Sequence, residues 1–304
     1  MPRVIKIVKS LTWREYLARF LAEKRLNGCR ETTINDYRYY IPRFFEGLTL
    51  EDWEGIQKRV NEYFSSDLAP ATFNIRRAYL KAFFNYLVQQ GAVPQNPITF
   101  KKRKTESKMR AVPPEILQKL LRLPDKNTFA GLRNYTLLLL TLDTGIRPKE
   151  ALSLLPEHFN LEAREVTIPG GIAKTKAPRT LPLSSLTVQW LHRLLSVRHS
   201  AWHNAPVFCT WEGKPMQRNS WTKILQDYSK KLGYRITPYD LHHAFALYSL
   251  RNGMNVFVLQ RILGHTDLTM TKRYLALTQE DLQKEHEKSS PLNVLGAKRI
   301  RKIS

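Results

Sequence analysis

The sequence predicts a mainly helical protein of two domains: an all-helical bundle, then a mixed, mostly helical domain with a small antiparallel sheet. Three observations predict it. Apolar residues recur at helical spacing through much of residues 11 to 92. A proline- and lysine-rich stretch near residue 100 then interrupts the pattern. Beyond it helical patterns resume, broken by two short strand-like runs with a basic turn between them. A chain of 304 residues is long enough for two cores.

In the first domain, Trp13, Tyr16, Leu17, Phe20 and Leu21 recur at i, i+3, i+4, i+7 and i+8, one face of a helix. Thr33 to Phe45 repeats this with Tyr37, Tyr40, Ile41 and Phe44, and Pro42 is a candidate kink. Ala71 to Gln90 forms a third long helix, with Phe73, Ile75, Tyr79, Leu80, Phe83, Phe84 and Leu87 apolar and Gly91 as its stop. These aromatics are expected in the core rather than as base-stacking platforms. Pro94 and Pro97 break helix, and residues 101 to 110 carry six Lys or Arg against one Glu. That stretch reads as an exposed linker, either a solvated tether or a strap across a phosphate backbone.

In the second domain, residues 113 to 123 start a helix with prolines in its first turn. Tyr135 to Leu142 reads as a buried helix running into Thr144-Gly145-Ile146-Arg147. Strands over 165–169 and 179–183 are joined by GGIAKTKAP, a hairpin with a basic tip. Helices come next near 184–198, 218–232, 238–251 and 255–263, and Tyr274 is expected on a last helix beginning near Asp267. The expected organisation is 1–99 helical domain, 100–110 basic linker, 111–281 second domain and 282–304 basic tail.

The formal net charge of +23 predicts a polyanionic partner, with nucleic acid favoured over an anionic membrane. No apolar run reaches the roughly 18–20 residues a membrane helix needs, and MPRVIKIVKS has no apolar signal-peptide core. Two distant cysteines, Cys29 and Cys209, make neither a disulfide framework nor a zinc site, so a reducing cytoplasm is expected.

Chemistry concentrates in two segments, TGIRPKEALSL at 144–154 and LGHTDLTMTKRY at 263–274. A tyrosine can attack a phosphodiester, but with an ordinary pKa of about 10 it is almost wholly protonated at neutral pH. It needs cations on the phosphate and an acid for the leaving alkoxide. Tyr274, Arg147, Lys174 and His265 are the candidates. Taken singly, each has an ordinary explanation. Arg147 fits a surface arginine, Lys174 a solvated lysine with Lys176 as rival, His265 a helix-capping histidine and Tyr274 a packing residue. Glu150, three residues after Arg147, shares its helical side and is placed to orient it.

The order of these pieces, with Tyr274 nine residues after His265, resembles the catalytic domain of the tyrosine recombinases, the phage-integrase family. The resemblance covers roughly residues 111 to 280, and the helical region before it looks like the family's core-binding (SAM-like) domain. It implies Tyr274 as nucleophile, Arg147 and His265 on the scissile phosphate, and Lys174 as general acid, because members carry a hairpin lysine eight residues before a strand proline, here Pro182. It further implies site-specific DNA recombination through a 3′-phosphotyrosine and a Holliday junction, without metal or other cofactor. The expected partners are double-stranded DNA with inverted half-sites and three further copies in a tetramer, with DNA-bending accessory factors as an option, and no membrane. The implied setting is bacterial or mobile-element cytoplasm.

The pattern breaks at TPYDLHH, 237–243. Tyr239 stands where the family has its box histidine, and His242 where it has its second arginine. A histidine is shorter, not bidentate and mostly neutral at pH 7. His243 does not replace it by register, since an adjacent helix position points about 100° away. Three explanations fit: a form that binds DNA but cuts poorly, an imidazolium raised in pKa beside a phosphate, or a slow enzyme. Two other readings stand beside recombination: a non-catalytic architectural DNA-binding protein, and a type IB topoisomerase-like relaxing enzyme.

Overall fold

The computed structural model describes residues 11–65, 67–105, 112–202, 204–266, 271, 274, 283, 286–293 and 295. The chain divides into two compact units, Met1–Glu106 and Ser107–Ser304.

In the first unit, α1 (Trp13–Leu26) starts at a capping box: the Thr12 hydroxyl accepts from the Glu15 N–H while the Glu15 carboxylate accepts from the Thr12 N–H. α2 (Glu31–Phe44) runs through Pro42 without ending there. α3 (Trp53–Ser65) buries Ile56, Val60 and Phe64, one residue per turn, and α4 (Pro70–Gln89) closes the bundle. Their shared core is aromatic, with Phe20, Phe44, Phe45, Phe83 and Phe84 all buried in edge-on and tilted contacts. Ile75, one of the apolar residues of α4, is exposed.

The second unit is built around α6 (Phe129–Thr144), which begins six residues before the apolar run that predicts it. Its Leu137, Leu138 and Leu140 are buried, and α8 (Ser185–Ser196) and α10 (Pro238–Arg251) pack against it. α5 (Pro114–Arg122) packs on α6 and on α9 (Arg218–Leu232). β1 (Phe159–Asn160), β2 (Glu165–Ile168) and β3 (Arg179–Pro182) form an antiparallel sheet in that order. Val166 pairs with Leu181, and both turn inward with Ile168, while Thr167 and Thr180 share a hydroxyl hydrogen bond on the outer face.

Two glycines set the backbone turns that present polar side chains. Gly145 caps α6 at φ 62°, and a Cβ there would strike the Phe245 ring. The turn buries Ile146 and delivers Arg147 to the start of the short helix α7 (Pro148–Ala151). Gly264 caps α11 (Val256–Leu263), also at φ 62°, and the Arg179 side chain passes 3.3 Å from where its Cβ would be. Among the described residues no helix is long and apolar enough to cross a membrane.

Candidate active site

A buried carboxylate organises the site. Glu150 is 1% exposed. Its Oε1 accepts from Arg147 Nη1 at 3.4 Å, Arg179 Nη1 at 3.3 Å and the Lys174 backbone N–H at 3.2 Å. Its Oε2 accepts from Arg179 Nη2 at 2.5 Å and the Arg147 backbone N–H at 3.3 Å. Burial pushes the Glu150 carboxyl up, but the Arg179 and Arg147 guanidinium groups and the Lys174 N–H outweigh it and hold the pKa below the usual carboxylate value. Arg147 also donates from Nη2 to the Gly264 carbonyl at 3.3 Å, and Arg179 from Nε to the Ile262 carbonyl at 3.0 Å. One glutamate therefore ties the TGIR turn, the hairpin and the end of α11 together.

This network carries a stability prediction. Glu150→Gln removes the counter-charge of two guanidinium groups whose side chains are each 9% exposed, and is expected to destabilise the unit by about 3 kcal/mol in thermal or denaturant unfolding. Because the folded pKa is depressed, this stability is complete above the unfolded carboxylate pKa of about 4.3 and is lost as pH falls through the lower folded value. The variant is thus expected to lose that acid dependence as well.

Lys174 lies at the hairpin tip, exposed, with its backbone fixed on Glu150. Its rival Lys176, two residues on, is exposed with φ 60° and donates its backbone N–H to the Ala173 carbonyl. His265 comes directly after the Gly264 cap, and its Nδ1 lies 2.9 Å from Thr271 Oγ1. Tyr274 is 5% exposed and packs with Phe245, Ala246, Leu259 and Leu263. Its ring is nearly parallel to that of His265, centroids 6.5 Å apart. A helix beginning near Asp267 falls outside the described residues.

The TPYDLHH segment lies at the start of α10. Thr237 and Asp240 form a reciprocal capping box that sets the helix start. His242 is buried, and its Nδ1 hydrogen-bonds the Gly145 carbonyl. Burial above all lowers its pKa to about 3; the Gly145 bond opposes this, and Arg147, His243 and His265 add to the lowering. In the protein alone this disfavours an imidazolium, and the bond to the Gly145 carbonyl braces the turn that presents Arg147. Tyr239 is exposed, with the Arg218 guanidinium 5.4 Å from its ring centre.

Helix register denies His243 the place of the second arginine. The same register turns its ring toward Tyr274, with Nδ1 2.7 Å from the tyrosine hydroxyl. Arg179 is the other residue not singled out from sequence. Its place in a strand beside a lysine-rich turn carries no local sign of the buried glutamate across from it. Among the described residues no group of three or more His, Cys, Asp or Glu is placed to hold a metal ion.

A family model described as "Phage integrase family" matches residues 110–281. Tyrosine recombinase XerD of Lacticaseibacillus casei is 26% identical over 280 residues, covering 87% of this chain and 94% of that protein. Tyrosine recombinase XerC of Roseiflexus castenholzii is 29% identical over 295 residues, covering 91% and 92%. Among solved structures, the Tn1549 transposon integrase with a circular intermediate DNA shares the fold at a TM-score of 0.72 and 22% identity, covering 91% of this chain and 99% of that one. A lambda integrase dimer on a core site matches at 0.70 and 15% identity, covering 87% and 95%.

Proposed function

The chain belongs to the phage integrase family and is a tyrosine site-specific recombinase, and from that premise we propose how its residues divide the work. Tyr274 attacks a DNA phosphodiester in line. The bond from its phenol oxygen to phosphorus forms as the bond to the 5′ oxygen breaks, leaving a 3′-phosphotyrosine. Arg147 neutralises the non-bridging oxygens with a guanidinium suited to two contacts. Lys174 protonates the leaving 5′ oxygen, and His265 donates a hydrogen bond to the phosphate. His242 braces the Arg147 turn, and Tyr239, exposed beside Arg218, is a further hydrogen-bond donor to the phosphate.

The observation that carries this reading is the Glu150 network. It fixes Arg147 and the Lys174 backbone on one carboxylate and links Arg147 to Gly264, immediately before His265. Residues from three distant segments thereby meet as a unit, which supports the preorganisation that electrostatic catalysis requires. The expected substrate is double-stranded DNA carrying inverted half-sites, bound through the core-binding domain of residues 1–99, the 100–110 linker and the catalytic domain of 111–281. The 282–304 tail joins neighbouring copies in a tetramer. The neutral His242 specifically favours a second form of the same reading, a chain that binds DNA normally and cuts slowly.

Nicked suicide fragments from DNA flanking the gene test the proposal. Denaturing gels are expected to show a covalent protein–DNA adduct, and peptide mapping to place it on Tyr274. An adduct on another residue, or none from either this chain or its His242→Arg variant on fragments that both bind, overturns it. Affinity for the same fragments is expected to fall steeply with salt. About 6–10 phosphate contacts would cost about 10³–10⁵ between about 50 and 200 mM, and a chain of net charge +23 has cations for that many. A shallow salt slope in a binding titration would argue against an extended phosphate interface.

A further inference from the structure

We propose that His243 is itself a catalytic residue, the general base that takes the phenolic proton of Tyr274. The inference rests on the reading of Tyr274 as nucleophile. His243 Nδ1 and Tyr274 Oη are 2.7 Å apart, within the reach required of a base and the proton it removes. The two ring centroids are 5.8 Å apart, at 49°.

The contact is built rather than incidental. His242 is pinned through its own Nδ1 to Gly145, which fixes the rotation of α10 and so the direction of the next side chain. Phe245, two residues on, packs in the same cluster as Tyr274, and the Tyr274 backbone N–H donates to the Thr271 carbonyl at 2.9 Å. Both partners are thus held from their own sides.

The chemistry of the pair is complementary. A phenol of ordinary pKa about 10 presents almost no phenolate at neutral pH, whereas imidazole, ordinarily about 6.5, accepts a proton there. The other histidines are occupied differently. His242 spends Nδ1 on a backbone carbonyl, and His265 Nδ1 faces the Thr271 hydroxyl. In the forward step the Tyr274 O–H bond breaks and the proton passes to Nδ1. The phenol oxygen bonds phosphorus, the bond to the 5′ oxygen breaks, and that oxygen is protonated by Lys174. When a 5′-hydroxyl attacks the phosphotyrosine, the imidazolium returns the proton to the departing phenolate. No redox partner or extra reactant is needed.

A purely structural hydrogen bond would give the same distance, so the test must separate holding from proton transfer. Single-turnover adduct formation on nicked suicide DNA would be followed for the full chain, for His243→Ala and for His243→Gln, whose amide keeps hydrogen bonding without basicity. Each is made with ordinary tyrosine or with a fluorinated tyrosine at 274 whose phenol ionises near neutral pH. Binding is checked by gel shift and folding by circular dichroism.

Both variants are expected to slow by about 10²–10⁴ with binding unchanged, and fluorotyrosine to restore most of the rate in both. A wild-type rate in a folded His243→Gln, or no rescue by fluorotyrosine in either variant, overturns the general-base role and leaves Tyr274 as nucleophile. An absence of adduct from both the wild-type chain and His242→Arg, on fragments they bind, overturns the nucleophile reading and the role of His243 with it.

Discussion

Tyr274→Phe is expected to abolish covalent adduct formation completely while leaving DNA affinity and fold in place. The substitution is close to ideal as a test because of how the residue is buried. Its ring sits against Phe245, Ala246, Leu259 and Leu263 and is 5% exposed, so phenylalanine keeps the packing and the buried area. What is lost is one hydroxyl and its bond to His243, about 1 kcal/mol of stability in a half-buried setting. The chemical loss is of another kind. Without the phenol oxygen no phosphotyrosine forms, and the remaining groups have nothing to stabilise. The measurements are a denaturing gel for the adduct and a gel shift for binding. An adduct that persists would place the nucleophile elsewhere. Loss of binding together with the adduct would mean that the hydroxyl serves assembly of the site rather than attack.

How much of the fold is legible in the sequence differs by element, for physical reasons. The bundle and the hairpin are readable because their patterns are local. Trp13 to Leu21 shows two turns of one face, and GGIAKTKAP marks a turn between two β-rich runs. α3 is harder to single out because it buries only Ile56, Val60 and Phe64 among polar neighbours, one apolar residue per turn. β1 is two residues long and exists through its pairing with β2, so no periodicity can announce it. α6 starts earlier than its apolar run because Thr128 supplies the cap, its hydroxyl accepting from the Gly131 N–H at 3.0 Å.

The site divides in the same way. Arg147 and Glu150 are three residues apart, at the N-cap and third position of α7, so their pairing arises from local capping geometry. Arg179 reaches the same carboxylate from 29 residues away, and His243 reaches Tyr274 from 31. Register says only that His243 points away from His242. What lies in that direction depends on a contact between segments that no local rule supplies.

His242→Arg is expected to raise the rate of adduct formation by about 10²–10³, the usual worth of one preorganised donor at a charged transition state. Charge decides the effect. His242 is buried, its Nδ1 is committed to the Gly145 carbonyl, and burial lowers its pKa to about 3, which disfavours the charged form at neutral pH. A buried histidine with a depressed pKa contributes stability that is complete above the unfolded value of about 6.5 and is lost as pH falls toward about 3. A guanidinium is charged throughout that range and has donors enough both to keep the Gly145 carbonyl and to face a phosphate. The variant is therefore expected to cut faster at neutral pH and to lose the histidine's share of acid sensitivity, and each effect is measurable without the other. A faster enzyme would mean that this chain carries an intact recombinase site with one cation withheld. An unchanged rate in a folded variant would mean that the phosphate is already neutralised from another direction. Arg218, stacked over Tyr239 at 5.4 Å from its ring centre, would then be the next cation to remove.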